Sequence, residues 1–184
     1  LIVALTSDHA DLRMSMFNAD GSVGEMCGNG IRCLVAFAFE NGMVSGDMTQ
    51  VVVDTLGGDK TVCPVWENGR VTRATVRMGE PVFSPDDIPV LAPRLDQVMD
   101  YPLEVDGRIF NINCVSMGNP HAVAFLDNPV DDIQLHQVGP QVEHHPMFPS
   151  RVNFEIANVL DEGHIKARVW ERGSGLTEAC GTGA

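Results

Sequence analysis

Two cysteines share a short frame of small residues. Cys27-Gly-Asn-Gly30 and Cys180-Gly-Thr-Gly183 have the form Cys-Gly-x-Gly. The first opens a helical pattern in which Ile31, Leu34, Val35 and Ala38 fall at i, i+3, i+4 and i+7. The first N–H groups of a helix have no internal partner, and the macrodipole puts partial positive charge there. A thiol at that position can have its pKa lowered to about 3.5–7.5, and the glycines permit close approach of a ligand. The second frame predicts a second helix start beyond Gly183. Two such ends converging on one carboxylate would form an anion clamp with a sulfur on each side. One thiolate could then take a proton from the α-carbon while the other thiol returned one to the opposite face. That chemistry inverts a stereocentre. General acid and base catalysis contribute roughly 10²–10⁴ each, and the developing enediolate would need N–H donors and excluded water. If the thiols are close, their pKa values belong to the pair.

A second set of side chains could recognise the rest of such a substrate. Glu171-Arg172 stands ahead of the turn Gly173-Ser-Gly175. There an arginine can take a carboxylate bidentately and a glutamate an ammonium. Asn18 holds the place in the first half that Glu171 holds in the second. Asn119-Pro120-His121 and Asn153 are further candidates, each with a plainer alternative: a turn before proline, a structural histidine, an ordinary strand position. Of the five cysteines, Cys33, Cys63 and Cys114 read as small buried hydrophobes. No C-x-x-C pair supports a zinc ribbon or a thioredoxin-type motif, and reduced thiols are expected. His9, His136, His144, His145 and His164 lack metal-binding spacing and read as surface or packing residues.

The elements that must carry these residues follow from periodicity. Leu12–Phe17 alternates as a half-buried strand, and the helix from Gly28 stops at Asn41-Gly42. Strands are predicted over 49–56 and 60–66, joined across Gly57-Gly58. The turn Glu67-Asn68-Gly69 then leads into a strand at Arg70–Arg77. Residues 81–102 carry Pro81, Pro85, Pro89, Pro93 and Pro102 and read as an irregular crossing. The domain boundary is placed there, giving an N-terminal lobe over 1–78 and a C-terminal lobe over 79–184. Beyond it, strands are expected over 109–115 and 122–126 and a short helix over 130–138. A hairpin of 152–159 and 164–170 should turn at Asp161-Glu-Gly163. At an offset of 153 residues, Leu12-Arg-Met-Ser-Met-Phe17 lies over Ile165-Lys-Ala-Arg-Val-Trp170. The alignment continues without a gap to match Glu25, Cys27, Gly28 and Gly30 with Glu178, Cys180, Gly181 and Gly183. Two homologous α/β lobes are implied, each delivering a cysteine from a strand and turn.

Composition narrows the class. The 184 residues carry 12 Lys+Arg against 25 Asp+Glu, a formal charge of −13. That balance argues against nucleic acid and anionic membranes as partners, and no apolar run reaches the ~20 residues needed to span a bilayer. The start, Leu1-Ile-Val-Ala-Leu5, has no basic region or signal pattern, and the end stops at a helix start. Both ends predict a segment cut from a longer chain.

The motifs closely resemble one family, diaminopimelate epimerase. The matching stretches are Phe17-Asn-Ala-Asp-Gly-Ser22, Cys27-Gly-Asn-Gly-Ile-Arg-Cys33, Ser116-Met-Gly-Asn-Pro-His121 and Glu171-Arg-Gly-Ser-Gly-Leu-Thr-Glu-Ala-Cys-Gly-Thr-Gly-Ala184. The resemblance implies an α/β (α+β) fold of two pseudo-symmetric lobes, each a curved, mostly antiparallel sheet wrapped around a central helix. It implies a cofactor-independent, metal-free isomerase that interconverts LL- and meso-diaminopimelate for lysine and peptidoglycan-precursor biosynthesis. Such an enzyme works in the cytoplasm, as a homodimer in the full-length parent. Carried over, Cys27 and Cys180 are the acid/base pair. Gly28, Asn29, Gly181 and Thr182 hold the reacting carboxylate, and Asn18, Asn119, Asn153, Glu171 and Arg172 contact substrate. His121 and Glu171 tune the thiols. Family members also carry an N-terminal segment with Gly-x-Gly-Asn-Asp and continue through a second catalytic helix, so the 184 residues alone are expected to be inactive.

Other classes predict different features. A proline or hydroxyproline racemase-type enzyme would also use two cysteines, but its substrate gives Glu171-Arg172 no second charged end. A phenazine-biosynthesis isomerase resembles the fold and lacks the cysteine pair. A hydrolase with His121 as base needs one essential cysteine, and a redox module would join the two as a disulfide.

Overall fold

The computed structural model of the chain describes residues 1–92 and 95–183. Pro93, in the proline-rich crossing, and Ala184, the last residue of the second cysteine motif, lie outside the described residues. The chain divides into two compact units, Leu1–Glu80 and Pro81–Ala184.

The first unit contains β1 (Ile2–Leu5), β2 (Leu12–Phe17), β3 (Val23–Gly24), α1 (Gly28–Glu40), β4 (Val51–Asp54), β5 (Lys60–Glu67) and β6 (Arg70–Arg77). Its sheet runs β1-β2-β4-β5-β6, with β3 hydrogen-bonded to β2. Only β2 and β4 pair in parallel, and α1 lies in the crossover between them. The periodicities explain the core. Leu12 and Met14 from β2, with Val51, Val53 and Val62, face the helical stripe Ile31, Leu34, Val35 and Ala38. Each large apolar side chain on that stripe contributes about 1.5–3 kcal/mol by leaving water. The helix ends at Asn41, whose N–H reaches Phe37 O and Phe39 O. Asn68 and Gly69 both have positive φ, 53° and 76°, the two-residue turn that Asn-Gly favours between β5 and β6.

The second unit contains β7 (Tyr101–Val105), β8 (Arg108–Ser116), β9 (Pro120–Phe125), a 3₁₀ turn at Val130–Asp132, α2 (Leu135–Glu143), β10 (Asn153–Asp161), β11 (His164–Glu171) and β12 (Gly175–Thr177). The sheet order is β12-β11-β10-β9-β8-β7, parallel only between β9 and β10. As in the first unit, the parallel pair is bridged by a helix, here α2. Leu135, Val138 and Val142 of α2 join Phe110, Ile112, Ala122, Ala124, Phe154 and Ile156 in one core. Phe110 and Phe154 meet edge to face at 5.5 Å. α2 passes so close to β11 that a Cβ on Gly139 would lie 2.4 Å from Trp170 Cγ. Gly139→Ala is therefore expected to cost about 1–3 kcal/mol by overpacking, read as a lower midpoint in urea. An unchanged midpoint would mean that Trp170 can move aside.

The repeat predicted from sequence reappears as register. In the first unit β2 and β3 pair Met16 with Gly24 and Phe17 with Val23. In the second, β11 and β12 pair Val169 with Thr177 and Trp170 with Leu176, the same offset of 153 residues.

Several expectations need correction. The helix expected over 130–138 is a 3₁₀ turn, an extended Ile133 and then α2, which runs on through Pro140. The apolar stripe Leu135, Val138 and Val142 keeps it helical past a residue that commonly ends helices. Strands β1, β3, β7 and β12 were not anticipated; for β7 the signal was present, because Asp106 and Gly107 (φ 54° and 70°) repeat the Asn68-Gly69 turn chemistry. Cys33 is exposed rather than core. It follows Ile31 by two residues on α1, so a period of 3.6 turns it away from the buried stripe. Cys63 is half-buried. Cys114 is buried as expected, and burial pushes its thiol up to about 12.

Candidate active site

The β2–β3 ribbon brings the chain to Cys27 just before α1. Cys27 is the N-cap of that helix, with extended backbone (φ −141°, ψ 113°), and its Sγ accepts from Gly30 N at 3.3 Å. Gly28 and Asn29 form the first turn, where N–H groups lack an intrahelical partner. Arg32 folds back over this turn: its Nε donates to Gly28 O at 3.1 Å, and its Nη2 donates to Asn29 Oδ1. Sequence reasoning passed over Arg32, which adds a full positive charge at the end of α1 that already favours anions. Its i+4 spacing from Gly28 was the available signal. Asn18 ends the β2 side of the ribbon, with its N–H on Ser22 O at 2.8 Å and its Nδ2 on Ser22 Oγ at 3.1 Å.

In the second unit the equivalent ribbon, β11–β12, leads to Cys180. Gly181–Gly183 is a turn, so among the described residues no helix follows Cys180. Burial pushes the Cys180 thiol up, the Thr182 hydroxyl opposes that shift, and the carboxylates of Glu171 and Glu155 add to it.

Around Cys180 the structure gathers residues from strands β9 and β10, the loop before β9 and the turn. Thr182 Oγ1 lies 3.3 Å from Cys180 Sγ, 3.0 Å from His121 Nε2 and 3.1 Å from Asn119 Nδ2. Asn119 Oδ1 is 3.0 Å from the same His121 nitrogen. His121 Nδ1 meets Glu155 Oε1 at 2.7 Å, with the side chains 1% and 3% exposed. Glu155 is the functional candidate that sequence reasoning missed. The one sign was an acidic residue inside the apolar run of β10, whose first five residues are all buried.

Asn153, Glu171 and Arg172 form a neighbouring group. Asn153 Nδ2 donates to Pro120 O at 2.9 Å, and its Oδ1 accepts from Arg172 N at 2.9 Å. Asn153 thus ties β10 to the start of β9 and to the loop after β11. The Arg172 guanidinium, nearly buried, donates to Ser150 O at 3.1 Å. Glu171 accepts from Thr177 Oγ1 at 2.5 Å across β11 and β12. Glu143, at the end of α2, holds the same loop. It takes Gly173 N at 2.9 Å and Arg151 Nη1 at 3.2 Å on one oxygen, and Trp170 Nε1 at 2.6 Å on the other.

Two sheets, each with one helix-bridged parallel pair and a ribbon leading to Cys-Gly-x-Gly, make an α/β fold of two related units. The fold is that of a probable proline racemase from Agrobacterium radiobacter K84 (TM-score 0.75, 16% identity, 99% of this chain and 56% of that one). A hydroxyproline epimerase from Agrobacterium vitis is equally similar (TM-score 0.74, 14% identity, 99% and 56%). Within that fold class the chain belongs to the diaminopimelate epimerase family, whose model matches residues 1–84 and 113–184. The diaminopimelate epimerase of Acetivibrio thermocellus is 46% identical across this whole chain and 64% of its own length. That of Moorella thermoacetica is 47% identical over the same shares. The chain therefore spans about 64% of the length of these curated relatives. No helix among the described residues is long and apolar enough to cross a membrane.

Proposed function

We propose that the full-length protein containing this chain is an isomerase that epimerises LL-diaminopimelate to meso-diaminopimelate with two cysteines and no cofactor. One thiolate takes the α-proton and becomes a thiol, leaving an enediolate. The other thiol delivers its proton to the opposite face and becomes a thiolate, so atoms and charge balance and the two sulfurs exchange roles. The observation that carries this reading is the pair of Cys-Gly-x-Gly frames, set at the same distance beyond strands of matching register. Family membership supplies the substrate.

In this reading Gly28, Asn29, Gly181 and Thr182 hold the reacting carboxylate through backbone N–H groups. Asn18, Asn119, Asn153, Glu171 and Arg172 bind the rest of the substrate, while His121 and Glu171 tune the thiols. Burial favours Cys180 as a thiol at neutral pH, which suits it to give a proton first. Family membership also supports a place in lysine and peptidoglycan-precursor biosynthesis, in the cytoplasm and as a homodimer.

The second reading is a proline or hydroxyproline racemase-type activity, favoured by the fold alone. In D₂O, full-length protein supplied with LL-diaminopimelate should yield meso product carrying deuterium at one α-carbon, seen by NMR. Product without deuterium would exclude proton exchange with the thiols. Racemisation of proline with diaminopimelate left untouched would select the second reading.

A further inference from the structure

The mechanism above leaves the most deeply buried carboxylate of the site without a task. Glu155 sits on the central strand β10 with its Oε1 on His121 Nδ1, and its Oε2 has no hydrogen-bond partner among the described residues. A Cβ on Gly183 would fall 2.4 Å from Glu155 Oε1. The last glycine of the second frame therefore makes room for this carboxylate. A His121 nitrogen, a Glu155 oxygen and Cys180 Sγ all lie within 4.8 Å of one another.

One assignment of donors satisfies the contacts of this cluster, with the His121 Nε2 proton shared between Asn119 Oδ1 and Thr182 Oγ1. Asn119 Oδ1 can only accept, so the His121 Nε2 facing it at 3.0 Å carries a proton. His121 Nδ1 and Glu155 Oε1 then share one proton across 2.7 Å. Thr182 Oγ1 receives N–H groups from both His121 and Asn119. Its own proton is left for Cys180 Sγ. Resting on the reading of Cys180 as an acid/base thiol, we propose that Glu155 is a positioning residue for that thiol. Acting from the far side of His121, it keeps the imidazole a strong donor to Thr182, which aims the Thr182 hydroxyl at the sulfur and supports the thiolate.

The carboxylates acting on Cys180 from the packed strands are Glu155 on β10 and Glu171 on β11, and both push its thiol up; His121 on β9 lies between Glu155 and the Thr182 hydroxyl. Alone, Glu155 would oppose a thiolate. Hydrogen-bonded to Nδ1, it polarises the imidazole so that the Nε2 side, which faces Thr182 and Asn119, is the stronger donor. Glu155→Gln keeps the shape of the side chain and removes the carboxylate, so the hydrogen bond to His121 Nδ1 loses its charge-assisted character.

The test is the rate of iodoacetamide alkylation against pH, read peptide by peptide on the full-length protein, with Cys27 as the internal control. Glu155→Gln should move the Cys180 midpoint up by about one pH unit, leave Cys27 unmoved and lower kcat/KM at neutral pH about tenfold. Thr182→Val should move the Cys180 midpoint in the same direction, while Thr182→Ser should keep it. A Cys180 midpoint that stays put or moves down in Glu155→Gln overturns the proposal, because Glu155 would then act only as a buried negative charge. Should that variant fail to fold, ¹⁵N shifts of wild-type His121 decide: a protonated Nε2 upholds the chain and an unprotonated one overturns it. Alkylation needs no substrate, so a failure of the epimerase reading would be seen separately.

Discussion

Full-length protein carrying Cys27→Ala or Cys180→Ala is expected to lose turnover of LL-diaminopimelate by about 10²–10⁴-fold, and the double variant should lose little more than either single one. Inversion needs a base and an acid in the same passage over the α-carbon, so removing either stops both directions. The two positions differ in what else they do. Cys27 caps α1 through its contact with Gly30 N, and alanine there also removes a cap worth about 0.5–2 kcal/mol. Cys27→Ser separates the effects: a hydroxyl caps at least as well, but its far higher pKa makes it a poor base. The serine variant should keep the wild-type melting temperature and still lack turnover. At Cys180 no such control is needed, because Thr182 keeps its bonds to His121 and Asn119 without the sulfur. If Cys180→Ala turned over at the wild-type rate, the two-base mechanism would be wrong.

The largest expected effect on stability is at Glu143. Its carboxylate is 3% exposed and takes three donors from three places: Trp170 on β11, Gly173 in the loop beyond it, and Arg151 before β10. Glu143→Ala leaves the half-buried Trp170 Nε1 and Gly173 N without this acceptor, each at a cost of about 1–3 kcal/mol. Arg151 is 29% exposed in its side chain and can turn to water, so its share is small. A total of about 2–5 kcal/mol is expected as a lower urea midpoint at unchanged slope. Gly173 follows Arg172, so the variant should also raise KM more than it lowers kcat. A fall in kcat at constant KM would contradict the placement of Arg172 in substrate binding.

Periodicity made the first unit easy to read. The α1 stripe Ile31, Leu34, Val35 and Ala38 is buried as the spacing requires, and Asn68-Gly69 makes its turn from local chemistry alone. Short strands such as β1 and β12 were not legible, because three or four residues carry no period and exist as strands only through their partners. Cys33 departs from expectation for a different reason: membership of an apolar run is not membership of the buried face, and the helix turns that residue outward.

By itself, the sequence determined which residues could do chemistry and that they come twice, since a duplicated strand, turn and Cys-Gly-x-Gly frame is written in residue identities. It also determined the helix that follows the first cysteine, because caps and periods are local. Only the tertiary structure decided what surrounds Cys180. His121, Glu155 and Thr182 are spread over three separate stretches of chain, and no spacing rule links them. The parallel pairing of β9 with β10, which sets Asn153 beside His121 in register, brings two of those stretches together. Burial, which depends on the whole chain at once, also raises the Cys180 thiol.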